Sequence, residues 1–152
     1  MTLWRSRLDD TDRQQLTFSP MEARSPGWSQ DGEKLVINAR LPGKPWKLYV
    51  IPAKGGSPEQ LIPGPESESF PDWSANWSSD GQYLYFERWG DDTGAMRIRI
   101  SDRREEKIGS LKEFRRTVGP ERCWSGLTPD NELLVLRDIG TQEIYALAWE
   151  AR

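Results

Sequence analysis

The sequence predicts an all-β fold of four-stranded antiparallel meanders, with about three units of it in 152 residues. Three observations predict it. Apolar residues alternate with a period of two: Leu35 and Ile37 against Val36 and Asn38, and Tyr83, Tyr85 and Glu87 against Leu84 and Phe86. These runs are short, rich in Val, Ile, Tyr, Phe and Trp, and bounded by Gly, Pro, Asp and Ser, as strands are. The same turn-headed unit then recurs every 45–50 positions, the period of propeller blades.

Taken in order, residues 2–8 and 13–17 read as the third and fourth strands of a unit whose first two strands do not precede them. Residues 3–16 overlay residues 48–61 without a gap, which is the basis of that assignment. One full unit follows over about 25–62 and another over about 72–110. The last unit, about 121–149, supplies three strands and no fourth. The whole reads as a single partial domain over 1–152. No window carries a convincing helical stripe. Residues 107–116 come closest, and Gly109 counts against a helix there.

The repeat is clearest at its first turn. Trp28-Ser29-Gln30-Asp31-Gly32 returns as Trp77-Ser78-Ser79-Asp80-Gly81, 49 positions later. A degraded copy begins at Trp124-Ser125 and continues to Thr128-Pro129-Asp130-Asn131. Asp-Gly supplies the positive φ that a tight hairpin needs, and Asn131 tolerates the same region without glycine. Gly55-Gly56 plays this part between third and fourth strands, with Asp9-Asp10 in the N-terminal copy.

Composition bounds the function. A chain of this length is one domain by size and long enough to bury a core. The apolar fraction is 36%, rising to about 45% with glycine, so the eight tryptophans are needed to fill the interior. The formal charge of −3 argues against an electrostatic footprint for nucleic acid or an anionic membrane. No apolar run approaches the roughly 20 residues needed to cross a bilayer. Cys123 is the only cysteine, so no intrachain disulfide forms, and beside Trp124 it reads as a small buried hydrophobe. The chain has no histidine, which removes Ser-His-Asp and Cys-His catalysis and every histidine-ligated metal site.

Pro26-x-Trp28-Ser29-x-Asp31-Gly32, followed by Leu48-Tyr49-Val50 and Gly55-Gly56, resembles the TolB-like, WD-repeat-like β-propeller repeats of bacteria. The resemblance covers nearly the whole chain. It is strong at residues 26–32 and 48–61, good at 77–86 and weak at 124–149. It implies part of a larger ring, the C-terminal part, of the kind that follows an N-terminal signalling module in bacterial regulators. It also implies a binding or sensing platform, in the periplasm or cytoplasm, with a protein or small-molecule ligand. The fold itself implies no reaction.

Each candidate site has a bland and a sharp reading. Trp28, Trp77 and Trp124 are expected at equivalent places on the innermost strands, either lining a ligand channel or packing between blades. Packing is preferred, because burying such rings dominates core energetics. Asp31 and Asp80 are turn formers before they are acids or ligands. Trp46, Trp73 and Trp89 fall outside the repeat pattern, and with Phe70 and Tyr49 they are the candidates for a contact surface, unless they cover blade edges. Asp91 and Asp92 begin a run like a calcium loop but lack its spacing and its closing glutamate, so no metal and no cofactor is expected.

Two function classes follow. The first is a non-enzymatic interaction scaffold. The second is an enzyme: a propeller glycosidase needing only two carboxylates at a set separation, or the accessory propeller of a prolyl-oligopeptidase-type protease. The strand tally adds an expectation of its own. An open arc exposes strand edges, which soluble proteins avoid, so either copies associate head to tail, two of them making about six blades, or the chain is the tail of a longer protein. Residues 144–149, read as another third strand, compete for the same place.

Overall fold

The computed structural model describes residues 1–62, 75–88, 93–115 and 125–140. Twelve strands are found among these residues, and no helix. A hairpin of β1 (Trp4–Arg5) and β2 (Gln14–Gln15) comes first. A four-stranded antiparallel meander follows: β3 (Glu22–Trp28), β4 (Lys34–Arg40), β5 (Lys47–Pro52) and β6 (Glu59–Gln60). The second meander is β7 (Asn76–Trp77), β8 (Tyr83–Arg88), β9 (Gly94–Arg99) and β10 (Glu105–Ser110). A final hairpin joins β11 (Ser125–Leu127) to β12 (Leu133–Val135). Residues 107–110, nearest to a helical pattern in the sequence, lie in β10, whose register slips by one between Lys107 and Gly109.

The alternation in β4 decides how the sheets stack. Leu35, Ile37 and Ala39 point to one side and join Leu16, Ala23, Ile51 and Ala53, so the first hairpin packs on that face. Val36 points to the other side and joins Leu48, Leu61, Ile62, Leu84, Phe86, Met96 and Ile98. That second cluster fills the space between the two meanders. A strand sandwiched on both faces loses the apolar-in, polar-out pattern, which is why β4 is buried from Leu35 through Ala39. β8 is buried in the same way from Leu84 through Glu87.

The polar side chains at the joints are specific to the stack. The Gln14 amide donates to the Lys54 carbonyl (2.6 Å), tying the first hairpin to the β5–β6 turn. Arg103 pairs with Glu59 across the two meanders. β3 carries a bulge at Ser25 and Pro26, where the pairing slips between Arg24 and Gly27. Pro26 sits where a missing N–H costs no ladder bond.

The architecture is a partial β-propeller: all-β, radially stacked antiparallel meanders. The third strand expected at 144–149 lies outside the described residues.

Candidate functional site

The inner strands β3, β7 and β11 converge, and a cleft of about 390 Å³ opens between them. Its walls come from the same two places in each unit: the end of the first strand and the turn that follows. Gly27, Trp28 and Gln30 come from the first meander, and Ala75, Asn76, Trp77 and Ser79 from the second. Leu127, Thr128, Pro129 and Asn131 come from the last hairpin.

The first turns of the two complete meanders are held by identical networks. The Ser29 hydroxyl donates to Asp31 Oδ1 (2.6 Å) and accepts from the Lys34 amide (2.9 Å), while the Glu33 amide donates to Asp31 Oδ1 (2.9 Å). Ser78, Asp80, Tyr83 and Gln82 repeat this at 2.6, 2.9 and 2.9 Å. Gly32 and Gly81 have φ of 70° and 69°, the left-handed region where a side chain is strained. Both carboxylates are held below the ordinary aspartate range, first by the serine hydroxyl and then by the amide two residues on. These acids are spent on turn geometry, and neither lines the cleft.

Four hydrogen bonds stitch the inner strands and their turns together, one of them from Asn131 Nδ2 to Ser79 Oγ (3.0 Å). The Trp77 indole donates to the Gly27 carbonyl (3.2 Å). A side chain on Gly27 would come within 3.2 Å of Val36 Cγ1 and 3.3 Å of the Ala75 carbonyl, so glycine permits this close approach. Asn76 donates to the Ser125 carbonyl (3.3 Å), and Asn131 Oδ1 accepts from the Ser79 amide (2.8 Å). Partners in these bonds lie 50, 49 and 52 residues apart, one repeat length.

The register of the last hairpin corrects the sequence alignment of Trp124. Trp28 pairs with Leu35 and Trp77 with Leu84, each one residue before the turn serine. In the last hairpin that position belongs to Leu127, which pairs with Leu133 just before Thr128. Thr128 stands in for the serine, its Oγ1 accepting from the Glu132 amide (2.9 Å), and Asn131 takes the positive φ at 64°. The loop is one residue shorter than in the other two copies. A gap-free overlay of Leu127-Thr128-Pro129-Asp130-Asn131 on Trp77-Ser78-Ser79-Asp80-Gly81 carries this signal. The Trp-Ser pair at Trp124-Ser125 obscures it.

The remaining aromatic candidates separate. Trp46 is half-buried, with the Arg24 guanidinium 3.7 Å and the Arg40 guanidinium 4.6 Å from its ring centroid. Arg40 also pairs with Glu22 (2.8 Å). This is a stacked support at the end of the sheet where residues 41–46 join β4 to β5, not an open contact surface. Tyr49 packs on the first core cluster and its hydroxyl reaches Gln60. Phe70, Trp73, Trp89, Asp91, Asp92 and Trp124 lie outside the described residues. The cleft residues Gln30, Ser79, Thr128 and Pro129 escaped the sequence reading, because only blade stacking brings them together.

Chemically, the cleft offers amide, hydroxyl and indole groups beside small apolar patches. Among its eleven described lining residues none is ionisable. Among the described residues no group of three or more His, Cys, Asp or Glu is placed to hold a metal.

A fold of stacked meanders with a cleft at the meeting of the first strands defines the class: a partial β-propeller. Known structures bear on this directly. The chain is similar to the structure of a protein described as a TolB from Agrobacterium tumefaciens, at TM-score 0.62 and 20% identity, over 86% of this chain and 44% of that one. It is similar to TolB from Acinetobacter baumannii, at TM-score 0.67 and 16% identity, over 86% and 30%. It is also similar to an oligogalacturonate lyase in complex with manganese, at TM-score 0.66 and 16% identity, over 90% and 38%. The chain therefore spans less than half the length of each. At these identities the likeness establishes the fold. No protein-family model matches the sequence, and no curated protein matches it.

Proposed function

We propose that this chain is a non-enzymatic binding scaffold, the C-terminal part of a larger bacterial regulatory protein. Its inner cleft takes an uncharged, hydrogen-bonding ligand, either a peptide segment or a small molecule. The observation that carries this reading is the lining of the cleft. Neutral donors and acceptors (Gln30, Asn76, Ser79, Thr128, Asn131) surround it, with the Trp28 and Trp77 rings beside them and no ionisable side chain among the described residues. Acid–base chemistry needs titratable groups at the reacting atoms, whereas orientation and selectivity need only a few placed polar groups in an apolar surround.

The enzymatic neighbour favours a second reading, in which the chain is the accessory propeller of a larger enzyme whose catalytic groups lie elsewhere. Both readings use the cleft for recognition. Calorimetric titration with neutral oligosaccharides and short uncharged peptides separates binding from turnover when the recovered ligand is analysed by mass spectrometry. Saturable binding that weakens in Gln30→Ala, with ligand recovered intact, supports the scaffold. Gln30 is the variant of choice because it is exposed and ties no blades together. Recovery of a cleaved ligand sinks the non-enzymatic proposal.

A further inference from the structure

The hydrogen-bonding groups that line the inner cleft are unequal in kind, and the imbalance narrows the ligand. Asn131 is engaged at both ends of its amide: Oδ1 accepts from the Ser79 amide (2.8 Å) and Nδ2 donates to Ser79 Oγ (3.0 Å). Ser79 Oγ is therefore already an acceptor. So is Thr128 Oγ1, which accepts from the Glu132 amide (2.9 Å). A hydroxyl that accepts still has its own O–H to give. Among the described residues neither of these two donates to a protein acceptor. The Trp77 indole is committed to the Gly27 carbonyl, whereas the Trp28 indole N–H has no acceptor among the cleft's described lining residues. Each of the three units thus brings an uncommitted side-chain donor to the lining: Trp28, Ser79 and Thr128. Gln30 can act in either sense.

Taking the cleft as the ligand site proposed above, we infer that its occupant is a proline-rich peptide segment, held by its backbone carbonyls. A proline keeps its carbonyl and has no backbone N–H, so a run of them offers acceptors and brings no donor. Such a run adopts polyproline II, which makes no internal hydrogen bonds and leaves every carbonyl available. Its apolar rings dock in aromatic-lined grooves, and its shape is set before binding, so little ordering cost is added. Here the lining aromatics are Trp28 and Trp77. Other ligands match the imbalance less well. A sugar brings a donor with every hydroxyl, and an ordinary peptide brings one with every amide. Each such group loses its water on entry and needs an acceptor. An oxyanion would suit the donors, but no cationic side chain lines the cleft among the described residues, and the chain carries a formal charge of −3. The cleft volume of about 390 Å³ lies within the roughly 300–1,000 Å³ of ligand sites, room for a few residues rather than a folded partner.

Calorimetric titration of the chain with three uncharged probes tests the proposal: end-capped oligoproline, an end-capped Gly-Ala-Ser peptide of equal length, and maltotriose. We expect saturable binding of oligoproline, tighter than that of either other probe by about tenfold or more. Trp28→Phe removes the indole donor and keeps an aromatic face, so it should weaken oligoproline binding about fivefold. Ser79→Ala should do the same, with circular dichroism checking that it folds. Trp28→Phe carries the test alone if it does not. Maltotriose or the proline-free peptide binding as tightly as oligoproline overturns the proposal and leaves the cleft standing as a ligand site. Oligoproline binding indifferent to Trp28→Phe overturns it too, by placing the peptide elsewhere. No saturable binding of any probe overturns the proposal and counts against the cleft as a site for neutral ligands.

Discussion

Trp28 and Trp77 occupy the same register position in two consecutive meanders, one residue before a turn serine held by the same network. Their surroundings differ. Trp77 is half-buried against the inter-sheet core and bonded to Gly27, whereas Trp28 is 51% exposed. The local sequence therefore sets where the ring sits on its own sheet, and the neighbouring blade sets what the ring is worth. In a stacked-repeat protein stability divides into a part intrinsic to each unit and a part belonging to each junction. These two residues sample the junction part with the intrinsic part held constant.

The largest effect expected from this contrast is on stability. Trp77→Ala should cost about 2 kcal/mol or more by urea unfolding, since it removes a packed ring and leaves the Gly27 carbonyl without its donor. Trp28→Ala should cost less than about 1 kcal/mol. Equal losses would mean that the junction contributes nothing beyond the ring's own sheet. The intrinsic part is isolated by the turns. Ser29→Ala and Ser78→Ala each leave a backbone amide and a carboxylate short of a partner, so each should cost about 1–2 kcal/mol, agreeing within a few tenths. A large inequality between them would show that the turns feel the neighbouring blade after all.

The smallest effect is the acid limb. The Asp31 and Asp80 carboxyls are shifted down in the folded chain, chiefly by Ser29 and Ser78. Their stabilisation is therefore fully present above the unfolded aspartate pKa of about 3.9, and it is lost as pH falls through the lower folded values. Asp31→Asn and Asp80→Asn should each flatten the stability profile below about pH 4 by a similar amount. A variant that leaves the acid limb as steep as in the parent chain would remove that carboxylate from the account.

How much of this was readable beforehand follows the same division. The turn at Asp31-Gly32 and its copy at Asp80-Gly81 were legible because their physics is local: an aspartate, a glycine with positive φ and a serine within six residues. The double-sided burial of β4 was half legible, since alternation of Leu35 and Ile37 with Val36 shows two faces but not that both are covered. The alignment of Trp124 failed because a Trp-Ser pair resembles the repeat, while register is fixed by the turn residues at 128–131. Trp46 read as a contact surface because nothing in the chain order places Arg24 and Arg40 beside it. The cleft was illegible for the deepest reason. Gln30, Ser79 and Pro129 are unremarkable turn residues until three blades lie side by side.

The serine–aspartate clasp at the first turn of each complete meander has a consequence for how such a chain can change. It fixes strand pairing within a handful of residues and asks nothing of the connections between meanders. Those connections are then free to lengthen, shorten or alter in composition without resetting any hairpin. Novelty in a molecule of this kind should accumulate between the clasps, while the clasps stay put.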